Sequence, residues 1–139
     1  MKKKILFICT HNSARSQLAE GLVNTLCSNK FQAFSAGSTP TNVNPYAIEA
    51  LKEIGIDIKG HYSKSINEFE GQYFDYVVTV CDNARDSCPF FPGAKKYIHA
   101  SFKDPSSVVG NSEEILNAFR KTRDEIKQWI LEFICNSTI

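Results

Sequence analysis

The chain has 139 residues, with sixteen basic and fifteen acidic side chains and a formal charge of +1 at neutral pH. That length suits one domain over residues 1–139, burying roughly two thirds of the surface its unfolded chain exposes. The even charge balance, without a sustained basic face, argues against nucleic acid as a partner, and no apolar run is long enough for a membrane span.

In chain order, the first predicted element is "KILFIC", a continuous apolar run of the kind expected for a strand covered on both faces. The lysines before it give it the look of a leader peptide. The apolar run stops after five residues, however, and the polar "THNS" follows with no cleavage site, so a buried strand of a cytoplasmic protein is expected. From Ser13 onward Leu18, Leu22 and Leu26 recur every four residues and predict a helix ending near Asn29. "QAFSAG" reads as a second strand closed by Gly37. "NPYAIEALKEIG" reads as a helix with Asn44 as N-cap, Pro45 at the first helical position and Gly55 as its stop. Ser65 and Glu68 have capping-box spacing and predict a short helix before the third strand, "YVVTVC". "KYIHA" is the fourth strand. Ile115, Phe119, Ile126, Ile130 and Phe133 then form a helical stripe capped by Asn111 and Glu114, with Trp129 beside it in the core.

Alternating strands and helices point to parallel strands joined by crossover helices. In such sheets ligands bind outside the carboxyl ends of the strands. Cys9 ends the first strand, Cys81 ends the third and Asp104 follows the fourth, so three strand ends converge on one rim.

Five cysteines, at 9, 27, 81, 88 and 135 with no C-x-x-C spacing, disfavour both a disulfide scaffold and a tetrahedral zinc site, and no metal is expected. Cys27 and Cys135 read as thiols of the core or surface. Cys9 is different, because Arg15 stands six residues on, in front of the first helix. The intervening residues, Thr10, His11, Asn12, Ser13 and Ala14, suffice to curl the backbone around a small tetrahedral anion. Their N–H groups would point inward and the helix N-terminus would add partial positive charge. The same field favours a thiolate, so the Cys9 thiol is expected to fall from about 8.5 into the range of roughly 3.5 to 7.5. Arg15 offers a planar fork for two anion oxygens, and Ser16 a hydroxyl that can donate to the sulfur. C-x-x-x-x-x-R by itself recurs by chance on strand-end thiols. Its placement between an apolar strand and a helix, with Ser after the Arg, selects the functional reading.

"CTHNSARSQLAE" resembles the phosphate-binding loop of the low-molecular-weight tyrosine phosphatases, and more closely that of the thioredoxin-coupled arsenate reductases built on the same scaffold. The resemblance extends through "FSAG", "NPYAIEALKEIGIDI", "VVTVC", "CP", "DP" and "RDEIK". It implies a flavodoxin-like, doubly wound sheet of four parallel strands with helices on both faces. It also implies a triple-cysteine mechanism: Cys9 attacks arsenate, Asp104 protonates the departing oxygen, and Cys81 attacks the Cys9 sulfur to release arsenite. Cys88 then takes over Cys81, and thioredoxin reduces the resulting disulfide. On a regular helix Cys81 and Cys88 would stand about 10 Å apart, so their pairing requires local unwinding. Asp104, beside Pro105, has two readings from the residues alone, a general acid or a common Asp-Pro turn.

Some relatives carry Cys where Ala14 stands and Gly where His11 stands; His11 reads as a rim residue, with proton transfer as the other option. Parts of the family hold potassium near the loop through residues matching Asn12, Glu20 and Ser35 together with a carboxylate. Lys64 occupies the carboxylate's place, so its ammonium is expected to replace the ion by pairing with Asn12 and Glu20, the alternative being a solvated lysine. His61 and His99 read as surface or capping groups. Arsenate, with phosphate or sulfate as mimics, is the expected ligand, thioredoxin the expected partner and a monomer the expected state. Two other functions remain compatible: a phosphatase acting on phosphate monoesters, and a non-enzymatic thiol sensor holding arsenite or a soft metal on Cys9, Cys81 and Cys88.

Overall fold

A computed structural model describes residues 2–81 and 90–136. Four parallel strands, β1 (Lys3–Cys9), β2 (Phe31–Gly37), β3 (Phe74–Thr79) and β4 (Ala94–His99), lie in the order β2-β1-β3-β4. The helices α1 (Arg15–Leu26), α2 (Pro45–Lys52) and α3 (Ser112–Ile130) complete the frame. The chain moves outward from β1 to β2 and then returns to the other side of β1 for β3. The ends of β1 and β3 therefore flank the point where the strand order reverses, which is where an open α/β sheet offers its binding crevice.

Strand β1 is buried from Ile5 to Cys9, as its continuous apolar run requires. Ile5 and Phe7 face a core shared with Leu18 and Leu22 of α1, Leu51 of α2, and Phe119 and Ile126 of α3. Leu6 and Ile8 face the opposite core, built with Phe69, Phe74 and Phe91. There Phe74 meets Phe34, Phe69 and Phe91 edge-on at 5.7 Å, the arrangement that ring quadrupoles favour. The sheet thus carries helical cover on both faces in unequal amounts: the three α-helices share one core, and the 3-10 helix Ile66–Phe69 lies on the other side.

Several boundaries differ from expectation for local reasons. Helix α1 ends at Leu26, not near Asn29, because the N–H groups of Lys30 and Phe31 both take the Cys27 carbonyl and turn the chain into β2. Leu26 is left exposed. Ser65 caps the short helix through the N–H of Asn67; Glu68 does not close the box because its carboxylate accepts the Tyr62 hydroxyl at 2.7 Å. That hydrogen bond pushes the Tyr62 phenol up from its ordinary value. The β3 ladder stops at Thr79, two residues short of Cys81. At α3 the capping box of Asn111 and Glu114 is complete. The π-helical turn Leu131–Cys135 that follows widens the helix and delays its return to the core by one residue, so Ile134 is buried and Phe133 exposed.

Cys27 and Cys135, read from sequence as separate thiols, are joined by a disulfide that ties the C-terminal turn to the end of α1. Their sequence separation of 108 leaves no local signal for that pairing.

Candidate active site

Cys9 ends β1 in register with Gly37 of β2, and the chain leaves the sheet there to form the loop 10–14. Two backbone features shape that loop. Asn12 adopts a left-handed conformation, φ 49°, which lets the chain turn back on itself. Gly37 lies directly beneath: a Cβ there would stand 2.6 Å from the Thr10 carbonyl oxygen and 2.8 Å from the Asn12 nitrogen, so only glycine fits. The segment after Gly37 then clamps the loop from outside. Thr39 donates its N–H to the Thr10 carbonyl at 2.8 Å, and the His11 ring meets the Thr39 carbonyl at 3.0 Å. Ser63 donates to the His11 carbonyl at 2.7 Å.

The loop encloses a pocket of ≈ 200 Å³ lined by Cys9, His11, Ser13, Ala14, Arg15 and Asp104, with Thr41, Asn44 and Ser106 at its rim. A larger cavity, ≈ 630 Å³, lies on the far side of the Asp104 loop against α3, and Cys9 does not line it. Helix α1 opens onto the smaller pocket at Arg15 with no side-chain cap and no acidic residue in its first turn. Its first N–H groups and its partial positive charge thus favour an anion there.

Cys9 is a free thiol, 2% exposed, whose Sγ lies 2.8 Å from Ser16 Oγ. Asn12 Nδ2 donates to Ser16 Oγ at 2.8 Å and leaves the serine's own hydrogen free, so toward a Cys9 thiolate, which can only accept, Ser16 is the donor. Such a bond stabilises negative charge on sulfur.

Arg15 is almost wholly buried, with Nη1 donating to the Phe102 carbonyl at 3.1 Å and Nη2 3.6 Å from Asp104 Oδ2. The other oxygen of Asp104 accepts from Ser106 N at 3.0 Å and Ser106 Oγ at 2.6 Å, starting the short helix Pro105–Ser107. The Asp-Pro turn and the pocket wall are therefore one feature. Cys81 is fully buried in the same core as Cys9, two residues past the end of the neighbouring strand, with Sγ 3.8 Å from the Ile8 carbonyl. Cys88 lies outside the described residues.

The residues expected to organise the loop also converge. Ser35 donates to Glu20, and Lys64 Nζ stands 3.8 Å from the same Glu20 oxygen while donating to the Tyr62 carbonyl at 3.0 Å. Lys64 reaches Asn12 through its backbone N–H, 2.9 Å from Oδ1, and not through the ammonium. Sequence reasoning missed Gln17 and His61. Gln17 is fully buried and donates to Asn12 Oδ1 at 3.0 Å, and His61, read as a surface group, contacts Gln17 at 3.0 Å and Glu20 at 3.4 Å. Gln17 directly follows Ser16, and that adjacency was its only signal. His99, exposed as expected, bonds Thr79 Oγ1 at 2.7 Å.

The family model for low molecular weight phosphotyrosine protein phosphatases matches residues 4–137. An arsenate reductase of Halalkalibacterium halodurans is 44% identical over 132 residues, 95% of each chain. Among solved structures, an arsenate reductase in the phosphate-binding state aligns with TM-score 0.80 at 31% identity, over 96% of this chain and 97% of that one. A thioredoxin-dependent arsenate reductase of Corynebacterium glutamicum aligns with TM-score 0.61 at 28% identity, over 94% of this chain and 63% of that one. The likeness holds from the first strand to the last helix, and the protein belongs to the low-molecular-weight phosphotyrosine protein phosphatase family.

Proposed function

We propose that this protein is an arsenate reductase that works through a thiol relay and is regenerated by thioredoxin. The observation that carries the reading is a second buried thiol, Cys81, in the same core as the Cys9 pocket, two residues beyond the adjacent strand. Ester hydrolysis has no use for it, whereas reduction of arsenic(V) to arsenic(III) needs two electrons from two thiols.

Cys9 attacks arsenic while the amides of residues 10–15, the Arg15 guanidinium and the first turn of α1 hold the remaining oxygens. Asp104 gives its proton to the departing oxygen, which leaves as water. Cys81 then attacks the Cys9 sulfur, the As–S bond breaks, its electron pair stays on arsenic, and arsenite leaves. Cys88 attacks Cys81 and frees Cys9, and the Cys81–Cys88 disulfide passes to a thioredoxin dithiol. The named reductase relatives and the thioredoxin-dependent neighbour support the reaction and its reductant. A thiol relay of this kind belongs in a reducing compartment, so a cytoplasmic enzyme is proposed.

Potassium is not part of the scheme. Asn12 Oδ1 already accepts from Lys64 N and Gln17 Nε2, and Glu20 already accepts from Ser35 beside the Lys64 ammonium, so the Asn12 and Glu20 oxygens that would ligate the ion already have protein partners. Turnover is expected to be the same in potassium and sodium buffers; strong selective activation by potassium would refute the substitution.

Thioredoxin-coupled NADPH oxidation, with and without arsenate, tests the main reading on wild type and Cys88→Ser. Multiple arsenate-dependent turnovers that vanish in the variant support it. Monoester hydrolysis untouched by Cys88→Ser, with no arsenate turnover, would make the protein a phosphatase, and stoichiometric arsenite binding without turnover a thiol sensor.

A further inference from the structure

We infer that His61 is a positioning residue for the Cys9 loop: its Nδ1–H locks the buried amide of Gln17, and Gln17 holds Asn12 in the left-handed turn. The inference rests on Cys9 being the nucleophile and adds a residue that acts on it from outside the pocket.

Donor and acceptor chemistry fixes each direction from His61 to Ser16. Gln17 Nε2 lies within hydrogen-bond reach of three oxygens, Asn12 O at 3.2 Å, Asn12 Oδ1 at 3.0 Å and Tyr62 O at 3.0 Å. The identity of Asn12 Oδ1 is secured because the Lys64 backbone N–H donates to it. The Gln17 amide therefore turns its NH2 toward the loop and its carbonyl toward His61 Nδ1, 3.0 Å away. A carbonyl oxygen only accepts, so Nδ1 carries the hydrogen whatever the charge on the ring. The chain then runs one way, His61 Nδ1–H to Gln17 Oε1, Gln17 Nε2–H to Asn12 Oδ1 and Asn12 Nδ2–H to Ser16 Oγ, and its last link, Ser16 Oγ–H to Cys9 Sγ, follows once Cys9 is a thiolate and can only accept.

Gln17 and Asn12 are fully buried. Without the His61 donor the Gln17 carbonyl loses its partner and the amide is held from the NH2 side alone, where a half-turn would set its oxygen against three others. Asn12 would then keep its left-handed backbone with fewer contacts to hold it there. The ring's other nitrogen faces Glu20 Oε2 at 3.4 Å, so a role exerted only through Glu20 is the competing explanation.

Two substitutions separate these routes. In His61→Asn the side-chain amide nitrogen can take the place of Nδ1 and keep the Gln17 contact while losing Glu20; in His61→Gln it can reach toward Glu20 and lose Gln17. We would measure iodoacetamide alkylation of Cys9, located by peptide mass spectrometry, and kcat/KM for arsenate, with circular dichroism to verify folding. H61Q is expected to lose about five- to tenfold in both rates, the worth of one hydrogen bond, while H61N retains most of the wild-type rate. Gln17→Met should lose as much as H61Q, and adding H61Q to it should cost nothing further, as for two members of one chain. Equal losses in H61N and H61Q, no loss in H61Q, or losses that multiply in the double variant would overturn the inference. A wild-type Cys9 that alkylates no faster than an ordinary thiol would instead overturn the reading of the active site itself, and this inference with it.

Discussion

Gly37→Ala strikes the anion loop from below without removing any group that meets substrate. The added Cβ would stand 2.6 Å from the Thr10 oxygen, 2.8 Å from the Asn12 nitrogen and 3.0 Å from the His11 carbonyl carbon, all of them backbone. Ordinary contact begins at 3.4 Å, so the shortfall is 0.8 Å at Thr10 and 0.6 Å at Asn12. No side-chain rotation relieves it, and β2 cannot retreat because Gly37 pairs with Cys9 and its N–H donates to the Lys64 carbonyl at 2.8 Å. The loop must therefore move outward by most of an ångström. Overpacking of this kind costs about 1–3 kcal/mol of stability. Its effect on turnover should be larger, because a catalytic cradle displaced by about 1 Å loses about a hundredfold in rate. Urea unfolding gives the first quantity. Arsenate-dependent NADPH oxidation and calorimetric phosphate binding give the second. A variant that loses stability yet keeps kcat/KM and phosphate affinity within twofold of wild type would refute the claim that Gly37 shapes the loop.

Other expectations can be checked alongside it. Ser16→Ala removes the hydroxyl 2.8 Å from Cys9 Sγ, and a lost hydrogen bond to a charged group should slow Cys9 alkylation at pH 7 by about tenfold or more; an unchanged rate would dismiss Ser16 from the site. Reduction of the Cys27–Cys135 bond, which closes a loop of 108 residues, should lower stability by up to about 4.7 kcal/mol on chain entropy alone. A phosphine reductant should thus lower the urea midpoint of wild type and leave a Cys27→Ser/Cys135→Ser double variant unmoved. Glu53 accepts from Arg120 at 2.6 Å and Arg123 at 3.0 Å, and the Arg120 hydrogen bond holds its carboxyl below the ordinary value. A depressed carboxyl stabilises the fold above its unfolded-state value and loses that contribution as pH falls through the folded-state value. Glu53→Gln should therefore cost about 0.5–1 kcal/mol at pH 7, discounted for exposure, and the gap to wild type should narrow as pH falls below the ordinary carboxyl value of 4.5; a gap independent of pH would contradict the assignment.

What the sequence revealed was local. Cys9, Arg15 and Ser16 could be read together because their spacing and the flanking apolar strand sit within one turn of chain, and the structure puts them around one pocket. Pro45 and the Asn111–Glu114 box marked helix starts for the same reason. What stayed hidden depended on segments that meet only after folding. Cys27 and Cys135 are brought together by the C-terminal turn packing on α1, and no spacing rule encodes that. Gln17 and His61 are 44 residues apart and polar, so neither leaves a periodic trace, yet one fills the base of the loop and the other orients it. Phe133 continued the helical stripe on paper and left it in space because of one widened turn.

The outer clamp on the anion loop has a price in selectivity. Thr39, Ser63, Gly37 and the Gln17 amide fix the loop from several sides, so its shape is set by the protein before any ligand arrives. A mould cast in advance for a tetrahedral dianion has no means of measuring the small difference in bond length between arsenic–oxygen and phosphorus–oxygen. Phosphate is then expected to compete, and discrimination would pass from recognition to chemistry: both anions would enter, but only arsenic could leave carrying the electron pair of a sulfur. Inhibition by phosphate should accordingly be competitive, raising the arsenate concentration needed for half-maximal rate and leaving the maximal rate intact.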